Sequence, residues 1–121
     1  KLMDEYCGGG TVSYMTNEKL LNIALKKLSI MEEDLESLAA KDIHELLRAW
    51  ELKHRHRAAE CVTHHTLFRK ETRWPGYYYR GDAMKLDDAN WHVLTVSRRD
   101  PQTGEYTMEK APCYHLVEDE K

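Results

Sequence analysis

The sequence predicts a mainly α fold: an antiparallel hairpin of two long helices within a three-helix bundle, followed by an irregular segment and a small β-hairpin with an extended tail. Three observations carry this. Leu20, Leu21, Ala24, Leu25, Leu28, Met31, Leu35 and Leu38 recur at helical i, i+3, i+4 spacing. A second stretch, residues 42–74, contains neither Gly nor Pro. Beyond it, Pro, Gly, Asp and Asn divide the chain into turns and short alternating runs.

The elements follow in order. Leu2, Met3 and Tyr6 have helical spacing, and Gly8-Gly9-Gly10 stops the segment. Residues 1–7 therefore read as the remnant of a first helix whose body lies before Lys1. Residues 11–15 form a β-prone connector. Thr16 or Asn17 caps a helix over 17–39, with Glu18 in its first turn to suit the helix dipole. Asp42 and Glu45 form a capping box for a third helix over 42–70. That helix runs roughly 40 Å at 1.5 Å per residue. Its apolar stripe is Ile43, Leu46, Leu47, Trp50, Ala58, Cys61, Val62 and Phe68. Two long helices with a tight link pack antiparallel, and each leaves a side open for a third.

Residues 71–121 change character. Glu71-Thr-Arg73-Trp74-Pro-Gly-Tyr77-Tyr78-Tyr79-Arg80-Gly-Asp82 crowds four large aromatics beside a Pro-Gly turn. Such a stretch needs a surface to lie on. Asp87, Asp88 and Trp91 lie in an Asp- and Asn-rich turn. Residues 92–99 alternate as a strand, with Val93, Thr95 and Ser97 on one side and Leu94 and Val96 on the other. Residues 100–104 make a Pro- and Gly-containing hairpin turn, and Tyr106, Met108 and Lys110 continue a second strand that Pro112 stops. Residues 114–117 read as a short extended piece before a charged end. The whole is expected to be one domain.

Composition narrows function. Apolar residues make up 41% and charged residues 32%, and no apolar run is long enough to insert in a membrane. Three distant cysteines exclude a disulfide framework or a zinc ribbon, and suit a reducing cytoplasm. The net charge of −3 conceals a basic middle: residues 48–73 hold seven Lys/Arg against three Asp/Glu. Those cations wind round the helix and alternate with Glu51, Glu60 and Glu71, which argues against nucleic acid. His54 and His65 stand about three turns apart, too far to share a metal. Cys61 and His65 are an i, i+4 pair that supplies two ligands, with no third or fourth assigned. No phosphate loop, nucleophile elbow or zinc-protease motif occurs. No catalytic, cofactor-binding or metal residue is therefore assigned.

One stretch does carry a resemblance. The order Glu71-Thr-Arg73, a short gap, Arg80-Gly-Asp82, then Asp87-Asp88-Ala-Asn-Trp91 resembles the C-terminal region of the succinate dehydrogenase/fumarate reductase flavoprotein family. In that family the segment usually reads Glu-Ser-Arg-Gly-Ala-His-x-Arg. Here Trp-Pro-Gly and three Tyr replace the Gly-Ala-His core, which is similar to the branch of adenylylsulfate (APS) reductase alpha subunits. Residues 44–55 and Pro-Cys-Tyr-His-Leu-Val at 112–117 are also similar to that branch. The resemblance implies a spectrin-like three-helix bundle, its first helix truncated, within an FAD-dependent oxidoreductase of sulfur metabolism in the cytoplasm. It places FAD and the capping domain upstream in the same subunit, and iron–sulfur clusters on a beta subunit. It implies a structural and interface role for Glu71, Arg73, Trp74, Tyr77, Tyr78, Tyr79, Arg80, Asp82, Asp87, Asp88 and Trp91, with no activity in the 121 residues alone. Charge pairs among Glu71, Arg73, Arg80 and Asp82, or across a domain boundary, are the expected role of that motif. Apolar surface left by the missing helix implies self-association. The alternative is a free-standing helical interaction module that docks through the aromatic stretch.

Overall fold

A computed structural model describes residues 1–74 and 77–114. A short helix α1 (Leu2–Tyr6) leads through a 3-10 turn (Gly10–Val12) to strand β1 (Met15–Thr16). Two long helices follow, α2 (Glu18–Glu36) and α3 (Ile43–Phe68). Strand β2 (Tyr79–Arg80), helix α4 (Asp88–Trp91) and the hairpin β3 (Val93–Arg99) and β4 (Tyr106–Pro112) complete the order. The Pro-Gly turn at 75–76, the extended piece at 114–117 apart from Tyr114, and the charged end lie outside the described residues.

Local chemistry sets the helix ends. The Asn17 side chain accepts the Leu20 N–H at 2.9 Å, and Asp42 accepts the His44 and Glu45 N–H groups at 2.9 Å each. Glu45 returns to the Lys41 N–H at 3.1 Å, one residue earlier than a capping box would reach. Helix α2 ends at Glu36, short of the expected residue 39. The Ser37 hydroxyl and N–H both turn back to the Asp34 carbonyl, which closes the last turn early.

Helices α2 and α3, joined by the short link at 37–42, pack as a hairpin, with Leu28 meeting His56 and Glu32 meeting Arg57. The buried apolar core is compact: Leu21, Ala24 and Leu28 from α2, and Trp91 from α4. Each buried Leu contributes about 2 kcal/mol. On α3 the buried residues are His56 and Thr63, not the predicted apolar stripe. His56 Nε2–H donates to the Leu28 carbonyl at 2.8 Å, and the Thr63 hydroxyl donates to Ala59 O at 2.7 Å. Ile43, Leu46, Leu47, Trp50, Ala58 and Val62 are exposed, Ile43 to 70%. The reason is geometric. Most of the stripe is left uncovered by α2; near its C-terminal end Cys61 meets Ser97 of the β-hairpin and Phe68 meets Trp91.

Two features escape the sequence pattern. The connector at 11–15 becomes a turn in which Ser13 and Tyr14 both take left-handed backbone (φ 55° and 60°). It then pairs in parallel with the aromatic segment, Met15 opposite Tyr79 and Thr16 opposite Arg80. The turn before Trp91 is a single helical turn capped by the Asp87 side chain on Asn90 N–H. The hairpin register is as its turn dictates, with Val93 opposite Pro112 and Arg99 opposite Tyr106. Asp100 accepts the Gln102 and Thr103 N–H groups, and Gly104 takes φ 76°.

Left-handed backbone costs a non-Gly residue about 1 kcal/mol. Ser13 is exposed, and its side chain does not hold the turn. Ser13→Gly is therefore expected to raise stability by up to about 1 kcal/mol, read as an upward shift of the urea midpoint with unchanged m. A lower midpoint would mean that the turn carries no strain.

Candidate functional site

The aromatic segment leaves α3 and returns beside its end, held by two charge networks. The first centres on Glu71, whose side chain is fully buried. It accepts from Arg69 Nη1 at 2.6 Å, Arg73 Nε at 2.6 Å and the Asp87 N–H at 2.9 Å. Arg73 also reaches Asp88 at 2.9 Å. Arg69 continues to the Trp91 and Val93 carbonyls at 2.8 Å each. One carboxylate thus fixes the helix exit, α4 and the start of β3. Burial pushes the Glu71 carboxyl up, but the hydrogen bonds from Arg73, Asp87 and Arg69 outweigh it and hold it below the ordinary range.

The second network centres on Arg80, 1% exposed. Its Nη1 donates to the carbonyls of Thr66, Leu67 and Arg69 at 2.6, 3.1 and 3.0 Å. These include the orphan acceptors at the end of α3, so Arg80 caps that helix from a distant segment. Its other face pairs with Asp82 at 2.9 and 2.8 Å, and Asp82 accepts the Glu18 N–H at 3.1 Å. Arg80 and Asp82 together tie the end of α3 to the start of α2, each charge facing the helix pole that suits it. Thr72 closes the loop, accepting Arg80 N–H at 3.0 Å and donating to Ala83 O at 2.9 Å.

The hydrogen bond from Arg80 holds the Asp82 carboxyl down at about 2, against the opposing effect of burial. A carboxyl lowered on folding stabilises the fold above its unfolded pKa of about 4, and that stability is lost as pH falls through the folded value. The domain is expected to weaken between about pH 4 and pH 2. Discounted for the solvent that reaches Asp82, this pH-dependent part is about 1 kcal/mol. Acid titration followed by circular dichroism checks it: Asp82→Asn should flatten that limb, and an unchanged limb would remove Asp82 from the account.

The aromatics divide. Trp74 is 64% exposed and Tyr77 79%, while Tyr78 and Tyr79 are half-buried. Tyr79 is fixed by its N–H on the Tyr14 carbonyl at 2.6 Å. Trp91 is buried, with Phe68 edge-on at 5.4 Å and the Lys110 ammonium 3.7 Å above its ring. Tyr14, Met15, Met84 and Leu86 are also exposed, on segments bonded to this one. The motif charges are satisfied locally while its outermost aromatics stay open. The histidines part similarly. His54 is exposed beside Trp50, whereas His65 bonds Thr95 Oγ1 at 2.9 Å and Ser97 Oγ at 3.0 Å. Ser97 and Thr95 were legible as one strand face, but nothing in the sequence put that face over Cys61 and His65. Among the described residues no three His, Cys, Asp or Glu side chains converge, and no helix is long and apolar enough to cross a membrane.

The chain with this fold matches a known family. Residues 1–117 match the model of the fumarate reductase flavoprotein C-terminal region, and the chain belongs to that family. Within it, the chain is similar to the adenylylsulfate reductase alpha subunit of Megalodesulfovibrio gigas, with 41% identity over 117 residues. That match covers 97% of this chain and 18% of the relative, so the chain spans under a fifth of the relative's length. The structure of adenylylsulfate reductase from Archaeoglobus fulgidus superposes with a TM-score of 0.93 at 52% identity, over 97% of this chain and 18% of the other. Quinol fumarate reductase from E. coli superposes at 0.81 with 26% identity, over 99% and 20%.

Proposed function

We propose that the chain is the C-terminal helical domain of an FAD-dependent oxidoreductase subunit that interconverts adenylylsulfate with AMP and sulfite. The observation that carries this is the near-complete match at 52% identity to an adenylylsulfate reductase chain five times longer. Its role is structural. Flavin and substrate are held upstream in the subunit, and electrons pass to iron–sulfur clusters on a beta subunit in the cytoplasm. Trp74 and Tyr77, with Tyr14 and Met15 beside them, form the face that docks on the FAD and capping domains. Glu71, Arg73, Arg80, Asp82, Asp87, Asp88 and Trp91 hold that face in place rather than reaching across it. The division of the chain into a helical bundle over 1–70 and a return segment over 71–121 fits these two tasks. An upstream helix lies against the apolar groove lined by Leu2, Leu28, Met31, Leu35, Leu38 and Leu52. Without it the isolated chain self-associates.

The test uses the 121 residues alone and the whole subunit. The isolated chain is expected to show no flavin absorbance and no electron transfer dependent on AMP and sulfite. In the whole subunit, replacing Trp74 and Tyr77 together by Ser should lower flavin retention while leaving the fold of residues 1–121 unchanged. Flavin bound by the isolated chain, or full retention in the double variant, would overturn this reading.

A further inference from the structure

The N-terminal half of α3 presents an apolar face that the structural role does not use. Ile43, Leu47 and Trp50 lie on one side of the helix and are 70%, 60% and 57% exposed, with Leu46 beside them. His54 meets Trp50 edge-on at 5.7 Å and braces its ring. The four apolar side chains leave on the order of 500 Å² open, a patch large enough to mark a contact. An upstream helix in the groove beside α2 does not reach it. That groove is lined on α3 by Leu52, His56 and Ala59, and at about 100° per residue those positions fall on the opposite side of the helix. Further along α3 the same face is already occupied: Cys61 meets Ser97, and His64 stacks on Tyr106 at 4.3 Å.

We propose that this face is an isologous interface with a second copy of the chain, the two α3 helices antiparallel about a two-fold axis that crosses between Leu47 and Trp50. Each Trp50 then packs against Leu47 of the other copy, and each Ile43 against His54. The two patches together bury about 1,000 Å², the lower bound for a specific dimer. The charges beside the stripe fit this arrangement. A two-fold axis across the helices brings like edges together. On one edge Glu51 comes opposite Arg48, and on the other Lys53 comes opposite Asp42, each pair formed twice. All four side chains are exposed. Glu51 is engaged only by Arg55, at 3.8 Å, and Asp42 caps its helix through Oδ1, which leaves Oδ2 for Lys53. Such rim pairs add little affinity but set the orientation. Shape selects the same orientation. Each β-hairpin rises on this face beyond the patch, so parallel helices would bring the two hairpins into collision. Antiparallel helices place each hairpin past the start of the other α3, over the exposed link at 37–42.

Sedimentation equilibrium of the whole subunit tests this, since any upstream helix then fills its own groove and cannot drive the association. The subunit is expected to dimerise at about 50 µM. Leu47→Glu, which sets an unpaired carboxylate at the centre of the contact, should weaken the dimer at least about ten-fold. Arg48→Glu and Glu51→Arg should each weaken it about three-fold, and the two together, which reverse both partners of each pair, should return it to within about two-fold of the parent. These positions are exposed, so the melting curve by circular dichroism and the flavin retained should stay as in the parent. A monomeric parent subunit, or association unchanged in Leu47→Glu, overturns the interface. Failure of the double reversal to restore association overturns the antiparallel arrangement. Loss of flavin in Leu47→Glu from a monomeric subunit would overturn it too, by giving the face to another domain of the same chain.

Discussion

Glu71→Ala is expected to destabilise the domain by about 3–5 kcal/mol, a large share of the stability of a chain this size. The carboxylate is fully buried and neutralises two guanidiniums while accepting the Asp87 N–H. Removing it leaves two neighbouring cations facing each other and one backbone donor without its acceptor. Glu71→Gln separates charge from hydrogen bonding. It can still accept from Asp87 and one arginine, and is expected to cost less, about 2–3 kcal/mol. Urea unfolding checks both. A loss below about 1 kcal/mol for Glu71→Ala would mean that Asp88 and the Trp91 and Val93 carbonyls suffice for the two arginines.

Arg80→Ala should be comparably severe, about 3–5 kcal/mol. Its guanidinium holds three carbonyls at the end of α3 and the Asp82 carboxylate. Without it those carbonyls lose their cap and Asp82 loses its counter-charge. Arg80→Lys is not a rescue. An ammonium cannot span helix end and carboxylate with a fixed fork, so about 2 kcal/mol of the loss should remain. Near-complete recovery by Lys would show that charge, not the fork, does the capping. Arg80→Ala should also flatten the acid limb, because the Asp82 carboxyl returns toward its ordinary range and folding no longer lowers it.

How far all this was legible in the sequence depends on the range of the forces. The cap at Asp42, the cap at Asn17 as one of two candidates, the two long helices and the two strands of the β-hairpin with its turn are set by neighbours within a few residues, and these read from the sequence. The charge motif was also visible as a motif, and two of its expected pairs, Glu71 with Arg73 and Arg80 with Asp82, are present. What it did was not readable. That Arg80 caps α3, and that Asp82 receives the Glu18 N–H, follow from where the chain returns in space. The pairing of β1 with β2 was missed because a two-residue strand has no periodicity to read. The stripe on α3 misled for a different reason. Apolar spacing reveals that a face wants cover, not whether these residues supply it, and Ile43, Leu47 and Trp50 remain open.

The join between β1 and β2 also bears on how the chain reaches this state. The α2–α3 hairpin closes over a short link, whereas Thr16 and Arg80 must find each other across the whole length of both helices. Local closure is fast and distant closure slow. The hairpin therefore forms first, and the Arg80 clasp latches a structure already assembled. Contacts made after the rate-limiting barrier slow escape from the native state without hastening arrival. The clasp is a determinant of lifetime: its loss should leave refolding rates nearly unaltered and shorten the time the domain stays folded.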